Sequence, residues 1–229
     1  MSCHSNESMS TPGGRIIACD REHFLCTLPA GTRHCRLTPA LAASLQDTPE
    51  WPTTGDLVRV EQAPPFRITA VLPRAGCLIR RTPSGAPQPL AANIDLVLVL
   101  QSCEARPRPG RLLRLVDAVR TGGAEPLVLL TKCDLHPEPE LLARFCRSTL
   151  PGTEVLPTSS RTGTGLEELT RILSGRAAVL LGLSGSGKST LCNRLLGSEE
   201  QATAPVRDAD KRGRHTTVRR ELIRLNHGA

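Results

Sequence analysis

Tyrosine is absent from this 229-residue chain, and Phe24, Trp51, Phe66 and Phe145 are its only aromatic side chains. A surface that reads single-stranded nucleic acid stacks bases on such rings, so that mode is excluded as a main contact. Phosphate electrostatics and recognition of RNA shape and backbone are the modes left open. No run reaches the roughly 18 apolar residues of a membrane-spanning helix, so no membrane association is expected. Residues 1–11 are polar and lack the apolar stretch of a signal peptide, which makes the chain, on this reading, cytoplasmic. The nine cysteines include no C-x-x-C pair and match no zinc spacing. Reduced, mostly buried thiols are expected, and no metal cage is visible.

What is present is ordinary for a globular chain, 39% hydrophobic and 22% charged. The net charge of +7 is unevenly spread. Residues 205–229 carry 7 basic and 3 acidic groups, and their net +4 is more than half of the excess. An anionic partner near that segment, nucleic acid first, would account for the concentration. A solvated loop accounts for it equally well.

Residues 1–13 form a polar tail. Over residues 14–88, short apolar or alternating runs at 15–19, 24–28, 57–61 and 66–72 are punctuated by Pro29-Ala30-Gly31, Thr54-Gly55-Asp56 and Pro64-Pro65. About five strands in such a length predict a small β-barrel. Residues 80–89, rich in Pro, Ser, Gly and Arg, read as a linker. From 89 to 229 the rhythm changes. Buried strands are predicted at 94–100, 127–130, 154–156 and 177–181, and helices at 140–146, 165–173 and 188–196. Leu112, Leu115, Val116 and Val119 fall at helical spacing before Gly122-Gly123, which ends that helix. Strands alternating with helices predict a parallel sheet covered on both faces.

Gly182-Leu183-Ser184-Gly185-Ser186-Gly187-Lys188-Ser189-Thr190 fits G-x-x-x-x-G-K-[ST] at every fixed position. It follows a buried strand and opens a helix, which is where the mechanism needs it. Glycines let backbone N–H groups converge on phosphate oxygens, and the helix dipole adds positive charge. Lys188 is placed to reach the β- and γ-phosphates and Ser189 to ligate Mg²⁺. A structural glycine turn is the plainer alternative, disfavoured by the complete match in this context.

An ordinary P-loop domain starts with its phosphate loop and builds the sheet afterwards. Here 39 residues follow Thr190, too few for that sheet, while four buried strands precede it. The end of the second strand is therefore informative: Thr131-Lys132-Cys133-Asp134 fits the [N/T]-K-x-D tetrad that reads guanine. An Asp carboxylate there accepts from guanine N1–H and the exocyclic amine, and the Lys stem covers one face of the base. One strand later, Thr158-Ser159-Ser160 offers backbone N–H groups for guanine O6, with helix capping as the plainer reading of Ser159 and Ser160.

Base tetrad, serine pair, then phosphate loop is the order of the circularly permuted GTPases. In detail the chain resembles the small-subunit ribosome biogenesis GTPases of the RsgA (YjeQ) family. Ala91-Ala92-Asn93-Ile94-Asp95, the tetrad, the loop Gly182 to Thr190, and Gly213-Arg214-His215-Thr216-Thr217 with Arg220-Glu221-Leu222 carry that resemblance. It implies an OB-fold β-barrel over 14–88, then an α/β P-loop GTPase domain over 89–229, circularly permuted and truncated at its C-terminus. It also implies GTP and GDP as ligands with Mg²⁺, and GTP hydrolysis late in maturation of the small (30S) ribosomal subunit, with rRNA bound. Thr216 or Thr217 would be the switch residue, with Thr217 favoured as a Mg²⁺ ligand beside Ser189. His215 is a candidate for positioning the attacking water. A monomer is expected.

The family continues with a D-x-P-G element, whose Asp holds Mg²⁺ through water, and with a zinc-binding domain of Cys and His. Neither lies in this sequence, so zinc ligands are missing and hydrolysis is open to question. The second reading is accordingly a guanine-nucleotide-dependent RNA- or ribosome-binding module without effective hydrolysis.

Overall fold

The computed structural model describes residues 13–196, except Arg21, Gln62, Pro83 and Ser84, together with the backbone of the short strand Arg220–Glu221. The first strands are β1 (Gly14–Asp20), β2 (His23–Leu28) and β3 (Gly31–Leu37), joined as antiparallel neighbours. Helix α1 (Pro39–Leu45) follows, with Pro39 in its first turn and the Thr38 hydroxyl accepting from the Leu41 N–H. Proline suits that position because its missing N–H would have no helical partner there. Strands β4 (Leu57–Val60) and β5 (Arg67–Val71) complete the sheet. The order β1-β2-β3-β5-β4, with β4 returning to β1, closes a five-stranded barrel. Residues Ile16, Phe24, Cys26, Cys35, Leu37, Val58 and Ile68 fill its interior, and this is the OB-fold arrangement. Strand β3 has no counterpart among the runs expected from sequence. Only Cys35 and Leu37 of it turn fully inward, while Thr32, His34 and Arg36 face solvent, so its apolar signal is weak.

Part of the stretch 80–89, expected to be a linker, instead belongs to the strands of an antiparallel hairpin, β6 (Cys77–Arg81) and β7 (Pro87–Ala92). Leu78 and Ala91 put its inner face into the core of the α/β unit. Apolar spacing could not show this, because the hairpin is half-exposed and rich in arginine and proline.

The α/β unit holds β8 (Leu96–Ser102), β9 (Glu125–Thr131), β10 (Glu154–Pro157) and β11 (Ala178–Gly182), a parallel sheet in the order β10-β9-β8-β11. Alternate side chains of β8 and β9 serve opposite faces. Val97, Val99, Val128 and Leu130 meet Leu112, Val116 and Val119 of α2 (Pro109–Thr121) and Ala143 and Cys146 of α3 (Pro139–Thr149). Leu96, Leu98, Leu100, Leu127 and Leu129 meet Leu169 and Leu173 of α4 (Leu166–Leu173) and Leu191 and Leu195 of α5 (Lys188–Leu195). Each leucine so buried contributes on the order of 2 kcal/mol, which is why both strands read as unbroken apolar runs.

A polar joint connects the barrel to this unit. Asp56, fully buried, accepts from the Thr53 N–H at 2.8 Å and from Arg74 Nε and Nη2 at 2.7 and 2.8 Å. The Ala92 N–H donates to Thr54 O at 3.0 Å, and Asn93 Nδ2 donates to Gly55 O at 3.1 Å. Asn93 O and Oδ1 accept from Arg15 Nη2 and the Ala75 N–H. Gly55 has φ +98°, and a Cβ there would lie 2.0 Å from Ala92 O, so the close approach requires glycine. The last described strand, β12 (Arg220–Glu221), pairs antiparallel with β1. No helix among the described residues is long and apolar enough to cross a membrane.

Candidate functional site

The motifs expected from sequence converge at the carboxyl ends of β9, β10 and β11, the edge where open α/β sheets bind ligands. Thr131 is the last residue of β9, and its buried hydroxyl donates to Ser186 O in the phosphate loop at 2.8 Å. One bond thus ties the tetrad to a loop 55 residues away. Lys132 follows in the left-handed conformation, φ 57° and ψ 38°, and turns the chain into a 3₁₀ turn over Cys133–Leu135. That conformation costs a lysine about 1–2 kcal/mol. It buries Cys133, whose thiol is raised by burial and then by the neighbouring Asp134 charge.

Asp134 sits opposite the β10 end. Its Oδ1 accepts from the Ser159 hydroxyl, and its Oδ2 accepts from Arg161 Nε and Nη2 at 2.8 and 2.6 Å. The Ser159 hydroxyl first, then the Arg161 guanidinium, hold this carboxyl below its ordinary range. The side chain therefore stays ionised and acceptor-only near neutral pH. The Ser159 N–H donates to Thr164 O, while no hydrogen bond engages the Ser160 N–H among the described residues. Of the serine pair, Ser160 has the N–H open to an incoming oxygen. Lys132 pairs with Glu104, beyond the end of β8, and Glu104 is held below its ordinary range by Lys132 and then by Ser102.

In the phosphate loop, Gly182 closes β11, and a Cβ on it would lie 2.5 Å from Ser186 Oγ and 3.0 Å from Leu100 O. Gly185 and Gly187 take φ values of +76° and +88°, which favour glycine. Leu183, Ser184 and Gly185 are exposed, and Thr190 lies on the first turn of α5 with Lys188 and Ser189. Lys188 Nζ folds back to donate to Gly182 O and Leu183 O at 3.1 and 2.7 Å. The buried Ser186 hydroxyl finds no hydrogen-bond partner among the described residues. The Lys188 ammonium, loop N–H groups at a helix N-terminus and an orphaned hydroxyl make a donor set that fits a polyphosphate. Ser189 lies beside it as a hydroxyl able to ligate Mg²⁺. His215, Thr216 and Thr217 lie outside the described residues.

The RsgA GTPase family model matches residues 71–229, more than half of the chain. The chain belongs to the RsgA GTPase family. Among relatives, "Small ribosomal subunit biogenesis GTPase RsgA" of Streptomyces coelicolor is 42% identical over 181 residues, covering 76% of this chain and 50% of that protein. Its counterpart in Streptomyces avermitilis is 39% identical over 221 residues, covering 94% and 59%. The chain spans about half the length of the curated relatives it matches. Among solved structures, YjeQ from Thermotoga maritima superposes with a TM-score of 0.63 at 23% identity, over 79% of this chain and 63% of that one. YloQ, a circularly permuted GTPase, gives 0.59 at 18%, over 85% and 67%. At those identities the likeness shows the fold.

Within this RsgA-family site, two charged residues lay outside the sequence expectations. Glu104 and Arg161 reach the tetrad across 28 and 27 residues. The available signal for Glu104 was its place just past the end of a buried parallel strand. For Arg161 it was adjacency to Ser159-Ser160.

Proposed function

We propose that this chain binds GTP and GDP with Mg²⁺ at the β9–β10–β11 edge, hydrolyses GTP, and acts with rRNA on the small ribosomal subunit during its maturation. The observation that carries the proposal is the convergence of Asp134, Ser159 and the loop Gly182 to Thr190, tied together by Thr131. Asp134 takes the guanine edge, with the Lys132 stem along the base and the Ser160 N–H toward O6. Lys188 leaves Gly182 O and Leu183 O for phosphate oxygens, a stronger charge-assisted partner than a carbonyl. Ser189 and Thr217 hold Mg²⁺, which neutralises charge on the phosphates when bound. His215 orients water, and one threonine of the Thr216-Thr217 pair, with Thr217 favoured, senses the γ-phosphate. The relatives named for the small ribosomal subunit and the basic segment 205–229, net +4, support the ribosomal assignment; the protein is read as a cytoplasmic monomer.

Two measurements on the whole chain test this. Titration calorimetry with Mg²⁺ is expected to show GTP and GDP binding far more tightly than ATP, and Asp134→Asn moving the preference towards xanthine nucleotides. Equal affinity for GTP and ATP would reject the base-reading assignment. Co-sedimentation with purified small subunits is expected to be stronger with a non-hydrolysable GTP analogue than with GDP, because only the γ-phosphate distinguishes the two states. It is also expected to weaken steeply with salt. Equal sedimentation with both nucleotides would reject the switch.

A further inference from the structure

The Asp134 carboxylate is already engaged by a planar pair of N–H donors. Its two oxygens offer about four acceptor sites. The Ser159 hydroxyl takes one on Oδ1, while Arg161 Nε and Nη2, at 2.8 and 2.6 Å, both fall on Oδ2. A guanine edge brings N1–H and the 2-amino group side by side and needs an acceptor on each oxygen. Oδ2 cannot serve the base while it holds both guanidinium donors. The base and Arg161 therefore exclude one another at this atom.

Exposure sets the direction of exchange. The Asp134 side chain is 10% exposed and that of Arg161 71%, so the arginine lies on the solvent side of the carboxylate, where a ligand arrives. It can leave into water without disturbing the core. Ser159, buried behind the carboxylate, keeps Oδ1 and the side-chain orientation when Arg161 departs.

We propose that Arg161 is a latch on the base-reading carboxylate: it competes with guanine for Oδ2 and must release Asp134 before a guanine nucleotide can dock. This rests on the reading of Asp134 as the guanine acceptor. The latch subtracts from apparent affinity by the fraction of chains in which it is closed, and it acts on entry. An ion pair whose cationic end is open to solvent in this way corresponds to about a two- to fivefold reduction. Adenine nucleotides, which make no use of the carboxylate, do not compete with the latch.

Stopped-flow binding of fluorescent GDP and ADP analogues to the whole chain tests it, using the parent, Arg161→Ala, Arg161→Gln, Asp134→Asn and the Arg161→Ala/Asp134→Asn pair. Both Arg161 variants are expected to take up the GDP analogue about two to five times faster, with the dissociation rate unchanged and ADP binding unaffected. The gain should shrink as salt screens the parent's ion pair. It should vanish in the Asp134→Asn background, where the latch has nothing to hold. An unchanged or slower association rate, or a change confined to dissociation, would overturn the latch while leaving guanine preference intact. Equal binding of the GDP and ADP analogues by the parent would overturn the base-reading assignment and the latch together.

Discussion

Thr131 occupies the tetrad position where asparagine is the common alternative, and its contribution is one hydroxyl. That group is buried and gives its proton to Ser186 O at 2.8 Å, so it acts on the loop. Thr131→Val keeps the shape and removes the donor, which strands the Ser186 carbonyl in a buried setting. The expected cost is about 1–2 kcal/mol of stability, with weaker nucleotide binding as the loop loses its tie. Thr131→Ser should recover most of both. Urea unfolding of the three chains checks the first part, and an unaffected Thr131→Val midpoint would show that the bond contributes nothing net. The cysteines point the other way, towards inertness. Burial pushes the Cys103 thiol up to about 12, with Cys133 and Cys146 adding to the shift, so near neutral pH it is a small apolar filler of the core.

Strand β11 and the loop it delivers separate two reasons for glycine. Gly182 is required by space, since a methyl there meets Ser186 Oγ at 2.5 Å and Leu100 O at 3.0 Å. Gly185 is required only by its φ of +76°, with nothing within 4 Å of the added carbon. Gly182→Ala should therefore push the strand end off β8 and cost about 1–3 kcal/mol, with nucleotide binding lost. Gly185→Ala should cost about 1 kcal/mol through backbone strain and leave binding weakened but measurable. Equal effects of the two would show that crowding at Gly182 is relieved by a small shift. The same strand shows what is legible in a sequence. Strands β8 and β9 announce themselves because both faces are covered, so most positions select an apolar residue, and β11, half-buried along its length, packs apolar side chains against both cores. Strand β3 has one covered face and presents arginine and histidine on the other, and the β6–β7 hairpin is paired by backbone while its outer side chains resemble a linker. The tetrad, serine pair and phosphate loop were readable because each is contiguous and sits at a strand end. The Lys132–Glu104 and Asp134–Arg161 pairs were not, because the fold alone brings those residues together.

At the scale of the whole molecule, Asn93 is the hinge pin between barrel and α/β unit. Its backbone φ of 53° suits asparagine better than most residues, and its amide bonds both ways, from Ala75 N–H and to Gly55 O. Asn93→Ala removes both side-chain bonds and is expected to cost about 1–3 kcal/mol. Calorimetric unfolding, expected as one transition in the parent, should broaden or split as the two units lose their coupling. A single sharp transition at the parental temperature would mean that the Ala92–Thr54 and Arg74–Asp56 contacts suffice without it. The order of strands in the chain has a separate consequence, for biosynthesis. A polypeptide leaves the ribosome from its N-terminus, so the barrel, β8, β9 and β10 emerge before β11 exists. The Asp134 side of the edge can form early, with one side of β8 still bare, but the phosphate loop arrives only with β11. A nascent chain of this order acquires its tetrad long before its phosphate loop.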